Sequence, residues 1–509
     1  MYLRNNLRLW RLSVIRLLVI VIALTLSIPI SAIGADKSEI QQRIEVLSNE
    51  LEQLKQQIEE MKKKEASKEE RLTSVEQKGR ELTWPSWLEI GGDFRARYDY
   101  LSGKTHDALL MTPSGNISSG ARTLTNDSLL TNRLGLNITA KATEDIKVKA
   151  RLLMYKVWGS NSDAVTGESG YFADKQDIFD GNMGHTPDSS TLRVDQVVAT
   201  WSNIGGEPLS FSVGRRPSTG GLPTNLRRNV ENTSGVPGYM VDWAFDGATV
   251  GYMPEIDLLP GAQAKICYGK GFDSGFQANG GLKDTNLLGL HAVPYDNDNL
   301  RFDLLWLRAF NIFARAETIS SNTNLGDVDQ FGILVMKKFE DLGNGDLHLF
   351  AGTALSLTHP NENTYNGYGL LWDSGTERKN RTGALLYLGG RYDFKSTATK
   401  VGLEYNRGSK YWLSFTPASD DILTSKLGTR GNAYEAYIIQ EIKSKPISKF
   451  GKAFVRLGYQ YYDFEYSGSQ NWVGAPYEVS GLTLTSTPAQ FFQPLANAHN
   501  VYFTFDVLF

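Results

Sequence analysis

The chain has 509 residues, 41% of them hydrophobic and 21% charged, with a net charge of -3 and a mean hydropathy of -0.30. That balance excludes a bundle of membrane-spanning helices and carries no bulk signature for nucleic acid. It leaves room for a β-barrel, whose strands are half polar and whose hydropathy signal is weak.

One cysteine, Cys267, excludes an intramolecular disulfide, a cysteine-based zinc site and a haem attachment site. The six histidines show no ligand spacing, so no cofactor is expected. No Ser-His-acid spacing points to a hydrolase, and no enzyme activity is expected.

Residues 1–35 read as a secretory signal peptide. Arg4, Arg8, Arg11 and Arg16 make a basic start, Leu17 through Ile28 an apolar core, and Pro29 breaks it before the small residues Ser31, Ala32, Gly34 and Ala35. A spanning helix needs about 20 apolar residues, and this core is shorter.

Residues 36–80 read as a coiled coil. Ile40, Leu47, Leu54, Met61 and Val75 fall on one heptad position, and Ile44, Leu51, Ile58 and Leu72 on the other, with Glu65 and Lys68 as polar exceptions. In a parallel coil the flanking charges pair with opposite sign: Glu50 with Lys55, Lys64 with Glu69, Arg71 with Glu76. A lone charged helix gains little in water, so Ile44, Leu47, Leu51, Leu54 and Ile58 are expected to hold subunits together. These core residues leave dimer and trimer both open.

From Leu88 the period changes from heptads to two. Leu88, Ile90, Phe94, Ala96, Tyr98 and Tyr100 share one face of the first strand, and Glu89, Asp93, Arg95, Arg97 and Asp99 the other. The second strand sets Leu130, Leu134, Leu136 and Ile138 against Arg133, Asn137, Thr139 and Lys141, and the third sets Ile146, Val148, Ala150, Leu152 and Met154 against Lys147, Lys149, Arg151 and Tyr155. Further strands are predicted near 192–202, 209–216, 241–252, 262–270, 286–294, 300–310, 328–339, 346–357, 383–394, 399–407, 432–442, 452–464 and 499–509, about sixteen in all. Short connectors alternate with long ones, which is the layout of a transmembrane antiparallel β-barrel over 81–509. A soluble sandwich or β-helix would need fixed-period repeats, and the chain has none. The last strand repeats the alternation, with Val501, Phe503, Phe505, Val507 and Phe509 on one face.

Signal peptide, short coiled coil and a barrel ending on an aromatic resemble Gram-negative trimeric porins with an N-terminal periplasmic coiled coil, anion-selective ones included. The stretches Gly402–Trp412 and Thr429–Tyr437 are similar to a family of proposed outer-membrane porins known only as a domain of unknown function. The resemblance spans 35–509. It implies an outer-membrane location with the coil in the periplasm, a homotrimer, and a water-filled channel for small hydrophilic solutes. It also implies that the barrel-assembly machinery reads Phe505, Val507 and Phe509. A different class of role is a barrel that sheathes a partner such as a multihaem cytochrome.

With apolar faces toward lipid, Arg95, Arg97, Arg133, Lys141, Lys147, Lys149 and Arg151 are expected to face the lumen, joined by Arg227 and Arg228 from the third long loop. Such a wall would favour anions. The alternative is that these charges pair with Asp242, Asp246, Glu404, Glu435 and Glu441, leaving an unselective lining. Cys267 is expected to face inward beside Gln263 and Lys265, as a small packed residue.

Overall fold

The structure, a computed structural model, describes residues 85–509 apart from 113, 160–186, 188, 217, 277–280, 315–322 and 417–419, together with seven positions between 45 and 63. The chain divides into two units, Met1–Trp84 and Pro85–Phe509. In the first, Glu45, Asn49, Glu52, Lys55, Gln56, Glu59 and Lys63 are helical and exposed. The signal segment and the heptad positions Ile44, Leu47, Leu51, Leu54 and Ile58 lie outside the described residues.

The second unit is a closed antiparallel barrel of sixteen strands, each paired with its neighbours in sequence. They are β1 Leu88–Thr105, β2 Thr123–Lys141, β3 Ile146–Val157, β4 Arg193–Trp201, β5 Leu209–Arg215, β6 Asp246–Tyr252, β7 Gln263–Phe272 and β8 Thr285–Asp296. The ring continues with β9 Leu300–Phe313, β10 Asn324–Leu342, β11 Gly345–Pro360, β12 Thr382–Phe394, β13 Thr399–Gly408, β14 Gly431–Glu441, β15 Lys452–Phe464 and β16 Leu495–Leu508. Every strand expected from the alternation is present. Several run past their predicted ends toward the long-loop rim, as β2 does in starting at Thr123. One starts late. The segment expected from 241 enters the wall only at Asp246, because residues 241–245 lie inside the barrel.

Closure joins β1 to β16. Phe94 pairs with Val507, Tyr98 with Phe503 and Tyr100 with Val501, so outward apolar side chains meet in register. Beyond the ladder, Gly92 and Phe509 exchange two backbone hydrogen bonds, at 2.8 and 3.0 Å. A ring of this kind leaves no strand edge unpaired.

The outer surface carries Val250, Ile266, Leu290, Leu304, Ile333, Leu403, Ile438, Leu457 and Phe503, all exposed. Exposed apolar surface continuing from strand to strand suits hydrocarbon rather than water. Aromatics flank it. Trp201, Tyr252, Phe339, Phe394 and Phe509 lie exposed toward the short-turn rim, and Tyr98, Tyr100, Tyr268 and Tyr434 toward the other.

Short turns such as 142–145 and 343–344 line one rim, and long connectors such as 106–122 and 465–494 line the other. Gly343 has φ 66 in its tight turn, a conformation that costs a side-chain-bearing residue energy. The described residues of two long connectors, 216–245 and 409–430, fold back into the barrel and supply much of its interior core.

Candidate functional site: the barrel lumen

The third long connector leaves β5 and forms a single helical turn, α1, Thr224–Arg228. Gly221 and Gly238 pack so closely that a Cβ on either would meet the other's backbone. Asn229, with φ 54, ends the turn and donates to the carbonyls of Asn225 and Leu226. Two carbonyls in the last helical residues are then taken by wall cations. Arg391 donates to the Leu226 carbonyl at 2.5 Å and Arg456 to the Arg227 carbonyl at 2.8 Å. Lys452 donates to the following Asn229 carbonyl at 3.2 Å. Cations at the carbonyl end of a helical turn are favourably placed, because the partial negative charge of the helix gathers there.

The seventh long connector, 409–430, packs against the third. Val241 bridges Phe415, and the Asp242 N–H donates to the Phe415 carbonyl at 2.7 Å. Trp243, Phe415 and Trp472 form a ring cluster, with centroids 5.3 and 6.4 Å apart. Trp412, Leu413 and Leu427 join Leu305, Leu307, Phe350, Leu385 and Tyr387 from the wall in one buried apolar core. Gln330 donates to the Leu413 carbonyl at 2.7 Å, which satisfies connector backbone from the wall.

Charge is handled separately, on β1, β2 and β13–β16. Arg95 holds Asp420 through Nη1 at 2.7 Å and Asp506 through Nε at 2.6 Å. Arg97 grips Asp99 at 2.8 and 2.7 Å, and Arg133 reaches Asp420 at 3.3 Å. Arg227 bonds Asp421, and Glu435 at 3.0 Å. Lys426 sits between Glu404 and Glu435. Tyr387 and Tyr502 donate to those two carboxylates at 2.6 Å each. The cations Arg95, Arg97, Arg133, Arg227, Lys426 and Arg456 thus meet Asp99, Asp420, Asp421, Glu404, Glu435 and Asp506, six against six. The set is electrically neutral and buried.

This corrects the expectation of an open basic wall at Arg95, Arg97, Arg133 and Arg227. Their exposures are 1, 3, 6 and 2%, and each is ion-paired. Among the acids named as alternative partners, Glu435 meets Arg227, Glu441 meets Lys400 and Lys452 at 2.9 Å each, and Asp246 meets Arg215 at 3.3 Å. The carboxylates Asp420 and Asp421 were missed. Their connector carries Trp412, Leu413, Phe415, Ile422, Leu423 and Leu427, an apolar density that a solvated loop does not need and that could have marked it.

Arg151 is half-buried and bonds Asp93 at 2.6 Å and Asn137 at 2.7 Å. Lys141, Lys147 and Lys149 are exposed, and Arg228 is half-buried. Among the described residues these last four have no carboxylate within ion-pairing distance, and the same holds for the inward Arg216 and Lys265. Register sets Lys141 directly across from Lys147, two like charges that repel. Glu89 pairs with Lys449 at 3.2 Å.

Exposure is uneven around the lumen. Inward positions of β8–β16, such as His291, Leu305, Gln330, Phe350, Tyr387, Asn406, Tyr462 and Thr504, are buried. On β2–β7 the inward face is mixed: Thr131, Arg133, Leu153, Tyr155, Asp195, Val198 and Ser212 are buried, whereas Asn137, Lys149, Gln196, Thr200, Thr249, Lys265 and Cys267 keep solvent exposure. His291 is closed off by Asp303 at 2.8 Å, which Arg301 also binds, at 2.8 and 2.9 Å. Among the described residues no group of His, Cys, Asp and Glu is arranged to hold a metal ion.

No curated protein matches the sequence. Solved structures with a similar chain path include the anion-selective porin from Comamonas acidovorans, at 13% identity and TM-score 0.42, covering 83% of this chain and 99% of that one. Another is OprB of Pseudomonas putida, at 12% identity and TM-score 0.43, covering 83% and 94%. A third is the outer-membrane protein OmpT of Vibrio cholerae in its trimer form, at 12% identity and TM-score 0.39, covering 83% and 99%. At these identities no residue role transfers. The family described as "Protein of unknown function (DUF3373)" matches residues 123–509, which takes in fifteen of the sixteen strands, and the chain belongs to it.

Proposed function

We propose that the chain is an outer-membrane porin that passes small hydrophilic solutes and prefers anions. One observation carries the reading: part of the inward face of β2–β7 keeps solvent exposure and bears Lys141, Lys147, Lys149 and Lys265, which have no carboxylate within ion-pairing distance among the described residues, while the buried ion-pair cluster is neutral. Near low-dielectric walls such charges are screened less than on an open surface. Selectivity then belongs to Lys141, Lys147, Lys149 and Arg228 among the residues first considered, rather than to Arg95, Arg97, Arg133 and Arg227. No catalytic chemistry is part of this reading. A sheath around an electron-transfer partner needs a vacant lumen, and the connectors at 216–245 and 409–430 take up that volume.

Subunits associate as a homotrimer through Ile44, Leu47, Leu51, Leu54 and Ile58 in the periplasm. The barrel-assembly machinery recognises Phe505, Val507 and Phe509. The test of the channel reading is the reversal potential of single channels in a potassium chloride gradient. A reversal toward the chloride equilibrium potential is expected, and a potassium-selective channel would overturn the anion preference.

A further inference from the structure

Arg216 and Lys265 stand out among the inward cations. Arg216 follows the last residue of β5, where its N–H donates to the Phe245 carbonyl at 2.6 Å. Its side chain turns back along the strand and donates from Nη2 to the Ser212 hydroxyl at 2.7 Å. The other terminal nitrogen, Nη1, is buried and has no hydrogen-bond partner among the described residues. Ser212 pairs in register with Thr249, and Thr249 with Cys267, so this row crosses three strands. Lys265 lies two residues from Cys267 on the same inward face of β7, two strands from the Ser212 that holds Arg216.

Asp303, the buried acid on β9, is already committed elsewhere. Asp303 already accepts two bonds from Arg301 and one involving His291. The Arg216 guanidinium, the Lys265 ammonium and the hydroxyls of Ser212 and Thr249 thus belong to one inward stretch of β5–β7, and among the described residues neither cation has a carboxylate within ion-pairing distance. Oxyanions suit this set, because an arginine fork and an ammonium bind their oxygens by charge-assisted hydrogen bonds. Chloride would use the charge but not the fork.

Resting on the anion-porin reading above, we propose that Arg216 and Lys265 form a binding station for a small oxyanion of phosphate size. The station sits on an eccentric path that follows β2–β7 rather than the barrel axis. Lys141, Lys147 and Lys149 on β2 and β3 raise the local anion concentration and feed it.

The experiment measures single-channel chloride current at neutral pH while inorganic phosphate is added. Phosphate is expected to reduce the current saturably. In R216Q/K265Q the half-effect concentration should rise about tenfold or more, while heat-modifiable migration on gels remains that of a folded barrel. R216K keeps the charge and loses the fork, so it should show a smaller rise and serves if the double variant fails to fold. An unchanged half-effect concentration in folded R216Q/K265Q or R216K overturns the station. An anion-selective wild-type channel on which phosphate does not compete also overturns it and leaves the porin reading standing. A cation-selective or non-conducting wild-type channel overturns both.

Discussion

Arg95 on the first barrel strand donates to both carboxylate oxygens of Asp420, at 2.8 and 2.7 Å, across 325 residues of sequence. The same guanidinium holds Asp506 on the closing strand at 2.6 Å. One wall residue therefore ties the infolded connector 409–430 to the seam where the barrel closes. Taking one partner from a buried ion pair costs about 3–5 kcal/mol, because the other charge is left without compensation. Asp420→Asn should consequently loosen this connector, lower the melting temperature and raise single-channel conductance. Conductance equal to wild type would show that Asp420 does not fasten the connector.

The same latch has a defined pH dependence. Burial alone would push the Asp420 carboxyl up, but Arg95, Arg133, Arg228 and Arg97 reverse this and hold it well below the usual carboxylate range. For a group whose folded value is depressed, the stabilisation is present above the unfolded value, about 3.9, and is lost as pH falls through the folded value. Conductance should thus stay constant from neutral pH down to about 4 and rise only in stronger acid. A conductance step near pH 6 would implicate a histidine instead.

Selectivity should separate paired from unpaired cations. Arg133 is 6% exposed and bound to Asp420, whereas Lys147 and Lys149 are exposed with no acid in reach among the described residues. Lys147→Gln with Lys149→Gln should shift the reversal potential clearly toward potassium. Arg133→Gln should shift it little, since Asp420 keeps Arg95. Charges about 8 Å from a passing ion are already screened at physiological salt, so the contrast should be sharpest in dilute electrolyte. Equal shifts in the two variants would contradict the distinction between paired and unpaired cations.

Strand number and facing were legible because a barrel wall writes a strict two-residue period into the sequence. Phe503 and Phe505 against Tyr502 and Thr504 show it at the last strand. What entered the lumen was not legible. Val241, Trp243 and Phe245 alternate with Asp242 as a strand would, yet they pack on Phe415 and Trp472, because the barrel has an inside as well as an outside for apolar groups to reach. Pairing was hidden for a related reason. Asp420 meets Arg95 only after two connectors have folded inward, and no local pattern encodes a contact across so many residues. Lys265 read only as an inward neighbour of Cys267, and its placement two strands from Ser212, the partner of Arg216, depends on register across β5, β6 and β7.

The coiled-coil expectation is independent of the barrel. Replacing Leu47, Leu51 and Leu54 with Asp puts three charges per helix into a seam that cannot solvate them. Sedimentation in detergent should then fall from an oligomer to a single barrel, with heat-modifiable migration retained. A variant that sediments as wild type would place subunit contacts elsewhere.

Closure of the barrel depends on the small size of Gly92. A Cβ there would stand 2.6 Å from the Gly135 carbonyl oxygen and 2.7 and 2.9 Å from two ring carbons of Phe509. Flexible neighbours could yield, but the Gly135 oxygen is strand backbone in register with Asp93. Gly92→Val should therefore prevent β1, β2 and β16 from meeting and abolish the heat-modifiable species. Phe509→Ala removes the ring while keeping the two backbone hydrogen bonds between residues 92 and 509. It should yield folded barrel at reduced membrane levels if the aromatic serves recognition during assembly. Normal levels of Phe509→Ala would assign the terminal residue to closure alone, and a normally folded Gly92→Val would remove the steric account of the seam.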